Sequence, residues 1–321
     1  VLAIVCPGQG SQTPGFLAPW LEVPEFRTRL TALSEVADVD LVAHGTTSDA
    51  ETIKDTAVAQ PLIVGAGLAA AATLFPDGPS EAVGVTAGHS VGEITAVAFA
   101  GVLADHDAMV FVRERGAGMA AASALTPTGM SAVLGGDPAE VGAALERHGL
   151  TPANANGAGQ TVAAGTLDQL AALAADPPAK ARVIPLQVAG AFHTHHMAPA
   201  VETLTGLSAG FSTKDPQVRL LSNADGQPVS GGAEALTRLV RQVSSPVRWD
   251  LCMQTMLDLG VTALIELPPA GTLVGLAKRA MPGVATLAVK TPDDLEAAHQ
   301  LIRDHGGDPA GGTSSTDAQK A

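Results

Sequence analysis

Residues Gly88-His89-Ser90-Val91-Gly92 set a serine between two glycines, the GxSxG spacing of a nucleophilic serine held on a tight turn. The glycines give the backbone the freedom such a turn needs. A helix starting just after the serine would aim its unbonded N–H groups at negative charge developing on a substrate oxygen. With 35 glycines in 321 residues the pattern arises easily by chance, so its surroundings must decide. Glu81 to Ala87 reads as a short strand, and Val91 to Leu103 reads as a helix with Val91, Ile94, Val97 and Ala98 on one side. Ser90 then lies at a strand-to-helix junction, which favours a nucleophile over the competing account, a plain turn or helix cap.

A serine hydroxyl needs a base within hydrogen-bond reach. His193 is a candidate, placed in a Gly-Ala-Phe loop after a strand at Arg182 to Val188. With His195 and His196 it forms HxHH, which raises a metal site. No cysteine lies near, and the closest acidic side chain follows only about a helical turn later, so no metal is expected. Leu62 to Ala70 resembles the GxGxxA of a dinucleotide fold, but only three residues separate Pro61 from Gly65. That leaves no room for a strand, and a helix with Pro61 in its first turn is simpler.

The elements that must position these groups follow from pattern. Val1 to Cys6 is continuously apolar and ends at Pro7-Gly8, as a buried parallel strand feeding the loop Gly8-Gln9-Gly10-Ser11-Gln12 would. Residues 125–190 read as a separate unit. A strand at Gly129 to Gly135 precedes a helix from the Asp137-Pro138-Ala139-Glu140 capping box to His148. Short strands at Pro152 to Asn156 and Gln160 to Ala164 lead to a second capping box, Thr166 to Gln169, its helix and the strand at Arg182 to Val188. The order βαββαβ is ferredoxin-like. The larger unit resumes with helices from Met197, at Ala233 to Val243, Leu251 to Leu259 and Leu273 to Arg279, and strands at Arg219 to Ser222 and Ala263 to Glu266. The Gly- and Ser-rich residues 306–321 read as a disordered tail.

The chain carries 18 Lys and Arg against 32 Asp and Glu, a formal charge of −14, and no basic run interleaved with aromatics, so nucleic acid is not an expected partner. Cys6 and Cys252 stand alone in apolar stretches and read as buried free thiols of a cytoplasmic protein. The apolar run Pro61 to Phe75 falls short of the roughly 20 residues of a membrane span, and no membrane association is expected.

Six stretches occur in one order: GQGSQ, Ala59-Gln60-Pro61-Leu62, GHSVGE around Ser90, Arg115-Gly116, Gly190-Ala191-Phe192-His193 and Pro246-Val247-Arg248-Trp249. Together they resemble the malonyl-CoA:acyl carrier protein transacylases and the related acyltransferase domains of fatty acid and polyketide synthases, from about residue 4 to about 290. The resemblance implies an α/β protein: an α/β-hydrolase-like core with a parallel sheet, residues 1–124 and 191–305, and the ferredoxin-like unit 125–190 inserted in it. It implies malonyl transfer from malonyl-CoA to acyl carrier protein through an ester on Ser90, with His193 as base and no cofactor beyond the coenzyme A thioester. Further implied roles are the N–H groups of Gln9 and Val91 as oxyanion donors and the main-chain carbonyl of Gln242 behind His193. Arg115 would hold the malonyl carboxylate, although nothing in the sequence chooses it over Arg113. Phe192 would crowd an α-methyl branch. Lys278 and Arg279, with Arg241 and Arg248, are candidates for docking an acidic carrier. A serine esterase or thioesterase of similar fold and a non-catalytic carrier-binding module are the alternatives.

Overall fold

The structure is a computed structural model describing residues 1–79 and 81–307, so the tail expected at 306–321 lies outside the described residues from 308 onward. In chain order the strands are β1 (Leu2–Cys6), β2 (Val83–Gly88), β3 (Thr128–Gly135), β4 (Thr151–Gly157), β5 (Gln160–Thr166), β6 (Ala181–Pro185), β7 (Arg219–Leu220), β8 (Val247–Arg248), β9 (Ala263–Glu266) and β10 (Ala285–Ala288). They make two sheets. The first has the order β10-β9-β1-β2-β7 and is parallel throughout. Its middle strand β1 is buried at every position, as its unbroken apolar run requires when helices cover both faces.

The second sheet has the order β6-β3-β5-β4-β8. Neighbours from β6 to β4 are antiparallel, whereas β8 joins β4 in parallel through Asn154↔Val247 and Ala155↔Arg248. Helices Pro138–Arg147 and Leu167–Ala175 connect β3 to β4 and β5 to β6, and pack on Val133, Leu150 and Ala163 to form a small core of their own. Thr166 and Gln169 form the reciprocal capping box; Asp137 accepts from the Ala139 and Glu140 N–H groups, but the Glu140 side chain does not return the bond.

Three boundaries differ from expectation by three residues or more. The helix placed at Pro61 starts at Thr56, where the Asp55 carboxylate accepts from Ala57 N–H at 2.8 Å, and Pro61 lies inside it. Gly65 and Gly67 are therefore mid-helix: a Cβ on them would come within 2.6 Å of Leu41 and 2.8 Å of Thr95, so they serve close packing. This helix, Thr56–Leu74, is long and apolar enough to cross a membrane, but most of it is buried inside the protein. The helix after Ser90 stops at Phe99, because the chain turns at Gly101 with φ of 79°. Finally, β6 ends at Pro185. Leu186 N–H still reaches Met130 O at 2.9 Å, and the chain then leaves the sheet toward His193.

Candidate active site

Ser90 follows β2 and precedes the helix Gly92–Phe99, with φ of 53° in the left-handed region. A non-glycine residue there carries strain of about 1–3 kcal/mol, which its surroundings must hold. They do so through backbone hydrogen bonds: His89 N–H donates to Cys6 O at 2.9 Å, and Ser90 N–H to Asn223 Oδ1 at 2.8 Å. The flanking glycines are required by contact. A Cβ on Gly88 would lie 2.0 Å from Gly92 O, and one on Gly92 would lie 2.2 Å from Cys6 O.

His193 Nε2 is 2.8 Å from Ser90 Oγ, and its Nδ1 is 2.8 Å from the main-chain carbonyl of Gln242. Gln242 ends the helix Gly232–Gln242, so its carbonyl has no i+4 helical partner; it accepts from Ser245 N–H at 3.2 Å and keeps a lone pair for the imidazole. A carbonyl only accepts, so Nδ1 carries the hydrogen and Nε2 is left to accept from the serine. Burial, and secondly the charge of Arg115, pull the imidazole down to about 3, so it is neutral at rest.

Arg115 has no exposed surface. Its Nη1 donates to Gln60 Oε1 at 2.7 Å, and its Nη2 to Gln242 Oε1 at 2.9 Å and Ser90 Oγ at 3.4 Å, while Nε has no partner. Burial lowers the guanidinium to about 10, which leaves it charged at neutral pH. Arg113, which the sequence could not separate from it, faces Glu114 at 2.9 Å and Val36 O at 3.4 Å, away from Ser90.

Ser90, His193 and Gln60 line a cleft of about 320 Å³ between the two sheets, with Arg115 buried directly behind them. Gln9 and Val91 both line it, and neither backbone N–H has an acceptor among the described residues. Phe192, 6% exposed, lines the wall together with Met130 and Val162 of the second sheet. Arg279 stands on the opposite wall and Lys278 is exposed beside it. Arg248 is engaged by Asp250 at 2.8 Å. The His195 and His196 rings lie against each other, tilted by 34° with centroids 4.1 Å apart, and no group of three or more His, Cys, Asp or Glu among the described residues could hold a metal.

Three participants escaped the sequence reading. Glu93, buried beneath the elbow, accepts from Asn223 N–H at 3.1 Å and from Gln242 Nε2; burial pushes it up to about 7. Asn223 donates to Gly88 O at 2.7 Å, and Gln60 is the Arg115 partner already noted. Glu93 and Gln60 stand inside the quoted motifs, and a charge or amide in so apolar a setting was the available signal. Asn223 follows β7 with nothing local to mark it. His89 faces Asn156 of β4 at 2.8 Å, so a single hydrogen bond ties the elbow to the second sheet.

Comparison with known proteins gives the family. The family model for the acyl transferase domain matches residues 3–315. A malonyl CoA-acyl carrier protein transacylase of Mycobacterium tuberculosis is 54% identical over 302 residues, covering 94% of this chain and all of that protein. The crystal structure of MCAT from the same organism superposes with a TM-score of 0.88 at 54% identity, over 92% of this chain and 98% of that one. A malonyl-transacylase solved in complex with a type II polyketide synthase acyl-carrier protein gives 0.86 at 30% identity, over 93% and 99%. Likeness of this degree along nearly the whole length places the chain in the acyl transferase family, among the malonyl-CoA:acyl carrier protein transacylases.

Proposed function

We propose that this protein moves a malonyl group from coenzyme A to the phosphopantetheine thiol of acyl carrier protein, through a malonyl ester on Ser90. The observation that carries the site assignment is the 2.8 Å contact between Ser90 Oγ and His193 Nε2, backed by the Gln242 carbonyl. His193 takes the hydroxyl proton as Ser90 attacks the thioester, and passes it to the departing coenzyme A sulfur. The open N–H groups of Gln9 and Val91 stabilise the tetrahedral oxyanion; one such donor is worth about 3 kcal/mol. In the second half-reaction the carrier thiol gives its proton to His193 and attacks the ester carbonyl, and His193 returns that proton to Ser90 Oγ as its bond to the malonyl group breaks.

Arg115 pairs with the malonyl carboxylate, for which a planar guanidinium offers two parallel hydrogen bonds. This buried cation, with only neutral partners at the serine, favours a carboxylate-bearing acyl group over the simple esters an esterase would take. Phe192 narrows the wall against an α-methyl branch. The two units, 1–124 with 191–305 and 125–190 in a ferredoxin-like arrangement, enclose the cleft between them. We assign the protein to the cytoplasm, in keeping with two buried free cysteines. Intact-mass measurement after mixing with malonyl-CoA tests the reading: a malonyl adduct forms, is discharged by acyl carrier protein, and is absent in Ser90→Ala. An adduct that persists in Ser90→Ala refutes it.

A further inference from the structure

Arg115 and Glu93 are opposite charges buried on either side of one amide. Gln242 presents Oε1 to Arg115 at 2.9 Å and Nε2 to Glu93, and it can do both only in this orientation. No carboxylate touches Arg115, whose remaining contacts are Gln60 and Ser90, so Glu93 is the anion that compensates it while the cleft is empty. A malonyl carboxylate arriving on the Ser90 side would leave one buried cation between two anions, an arrangement the interior supports poorly.

We propose that Glu93 is the counter-charge Arg115 trades for its substrate's carboxylate: the carboxylate form present in the empty site takes up a proton when a malonyl group is held. The inference rests on the reading of Arg115 as the malonyl partner. The carboxyl is poised for the exchange, since burial outweighs its hydrogen bonds and the nearby Arg115 and holds it at about 7 in the empty site. The Ser222 hydroxyl, which faces Glu93, can accept the new hydrogen. Other titratable groups around it do not compete in the neutral range. The Cys252 thiol is pushed well above its ordinary value by burial and by Glu93 itself, and His89 and His193 are both held below theirs by burial. Pairing of Arg115 with malonyl also removes its depressing effect on His193, so capture of the carboxylate makes the base more basic.

Acylation moves the Ser90 proton through His193 to the coenzyme A sulfur, so the chemistry itself takes up no proton near neutral pH. Rapid mixing with malonyl-CoA in weakly buffered solution with an indicator dye therefore reads Glu93, with Glu93→Gln as the reference for any uptake at His193. Near pH 7 the uptake is about half a proton per malonyl-serine, since a group at its own pKa is half ionised. It vanishes toward about pH 5, where the carboxyl is already protonated before malonyl arrives. Acetyl-CoA produces none, and Glu93→Gln shows no uptake per malonyl-serine formed, the adduct being counted by intact mass whatever its rate of formation. No uptake by the unmodified protein between about pH 5 and 8, or equal uptake by Glu93→Gln, overturns the proposal. Should Glu93→Gln fail to fold, the pH dependence of the unmodified protein decides. Arg115→Ala separates the two readings. If it loses the preference for malonyl-CoA over acetyl-CoA while the unmodified protein takes up no proton, the exchange alone fails; if the preference is unchanged, the reading of Arg115 fails with it.

Discussion

His193 and Arg115 act on each other, and the consequences can be measured one side chain at a time. A neutral imidazole is the form that accepts the serine proton, so activity is present above its pKa and lost as the pH falls through it. With the free-site value depressed to about 3, kcat/KM for malonyl-CoA keeps its plateau well below the ordinary histidine value of 6.5. The kcat profile, which reports the loaded enzyme, has its acid limb at higher pH, because malonyl masks Arg115. Stopped-flow acylation across pH checks both limbs, and a kcat/KM limb at 6.5 contradicts the burial argument. Arg115→Lys keeps a charge but has no fork to engage Gln60, Gln242 and a carboxylate together. We expect kcat/KM for malonyl-CoA to fall about 10²-fold or more, with acetyl-CoA much less affected. Parallel assays with the two thioesters give the ratio.

At the scale of elements, the elbow is a packing solution between β1, β2 and the helix Gly92–Phe99. Gly92→Ala drives a methyl into the Cys6 and Pro7 carbonyls, and backbone atoms cannot rotate aside. We expect a loss of about 3 kcal/mol or more by urea titration, together with loss of activity. Gly142 is the control: it lies in the helix Pro138–Arg147 with nothing within 4 Å of a Cβ, so Gly142→Ala should stabilise by about 0.5–1 kcal/mol and leave activity unchanged. Elements with strong local signals were legible. The Thr166 capping box and the Ala263–Glu266 strand lie where the sequence puts them. The helices Pro24–Ala37 and Leu295–His305 went unread, and so did β8, whose two residues pair only because β4 is there to receive them. A pair that short has no period to detect, so tertiary contact creates it.

For the molecule as a whole, charge sets the terms of docking. A chain of net charge −14 repels an acidic carrier unless cations gather at the cleft mouth. Of the four candidates Arg248 is held by Asp250, whereas Lys278 is exposed beside the cleft and makes no ion pair among the described residues. Lys278→Glu should raise KM for acyl carrier protein several-fold, with an effect that shrinks as salt is added, and leave the rate of acylation by malonyl-CoA within about twofold. Steady-state kinetics at two ionic strengths separates these outcomes. Equal KM values for the two proteins remove Lys278 from the docking surface.

Local chemistry made the turn around Ser90, the α/β class and a loop carrying His193 legible in the sequence, because a tight elbow demands small flanking residues and apolar periodicity shows from neighbours alone. Resemblance pointed to Arg115 and to the Gln242 carbonyl, but only the fold sets Arg115 rather than Arg113 at Ser90, brings that carbonyl onto His193, and buries Glu93 opposite the arginine. Glu93, Arg115 and Gln242 are far apart along the chain and sit on three helices, Gly92–Phe99, Asp105–Ser123 and Gly232–Gln242, that the fold packs together behind the elbow. Their pairing depends on distance in space and exclusion of water, neither of which leaves a local trace.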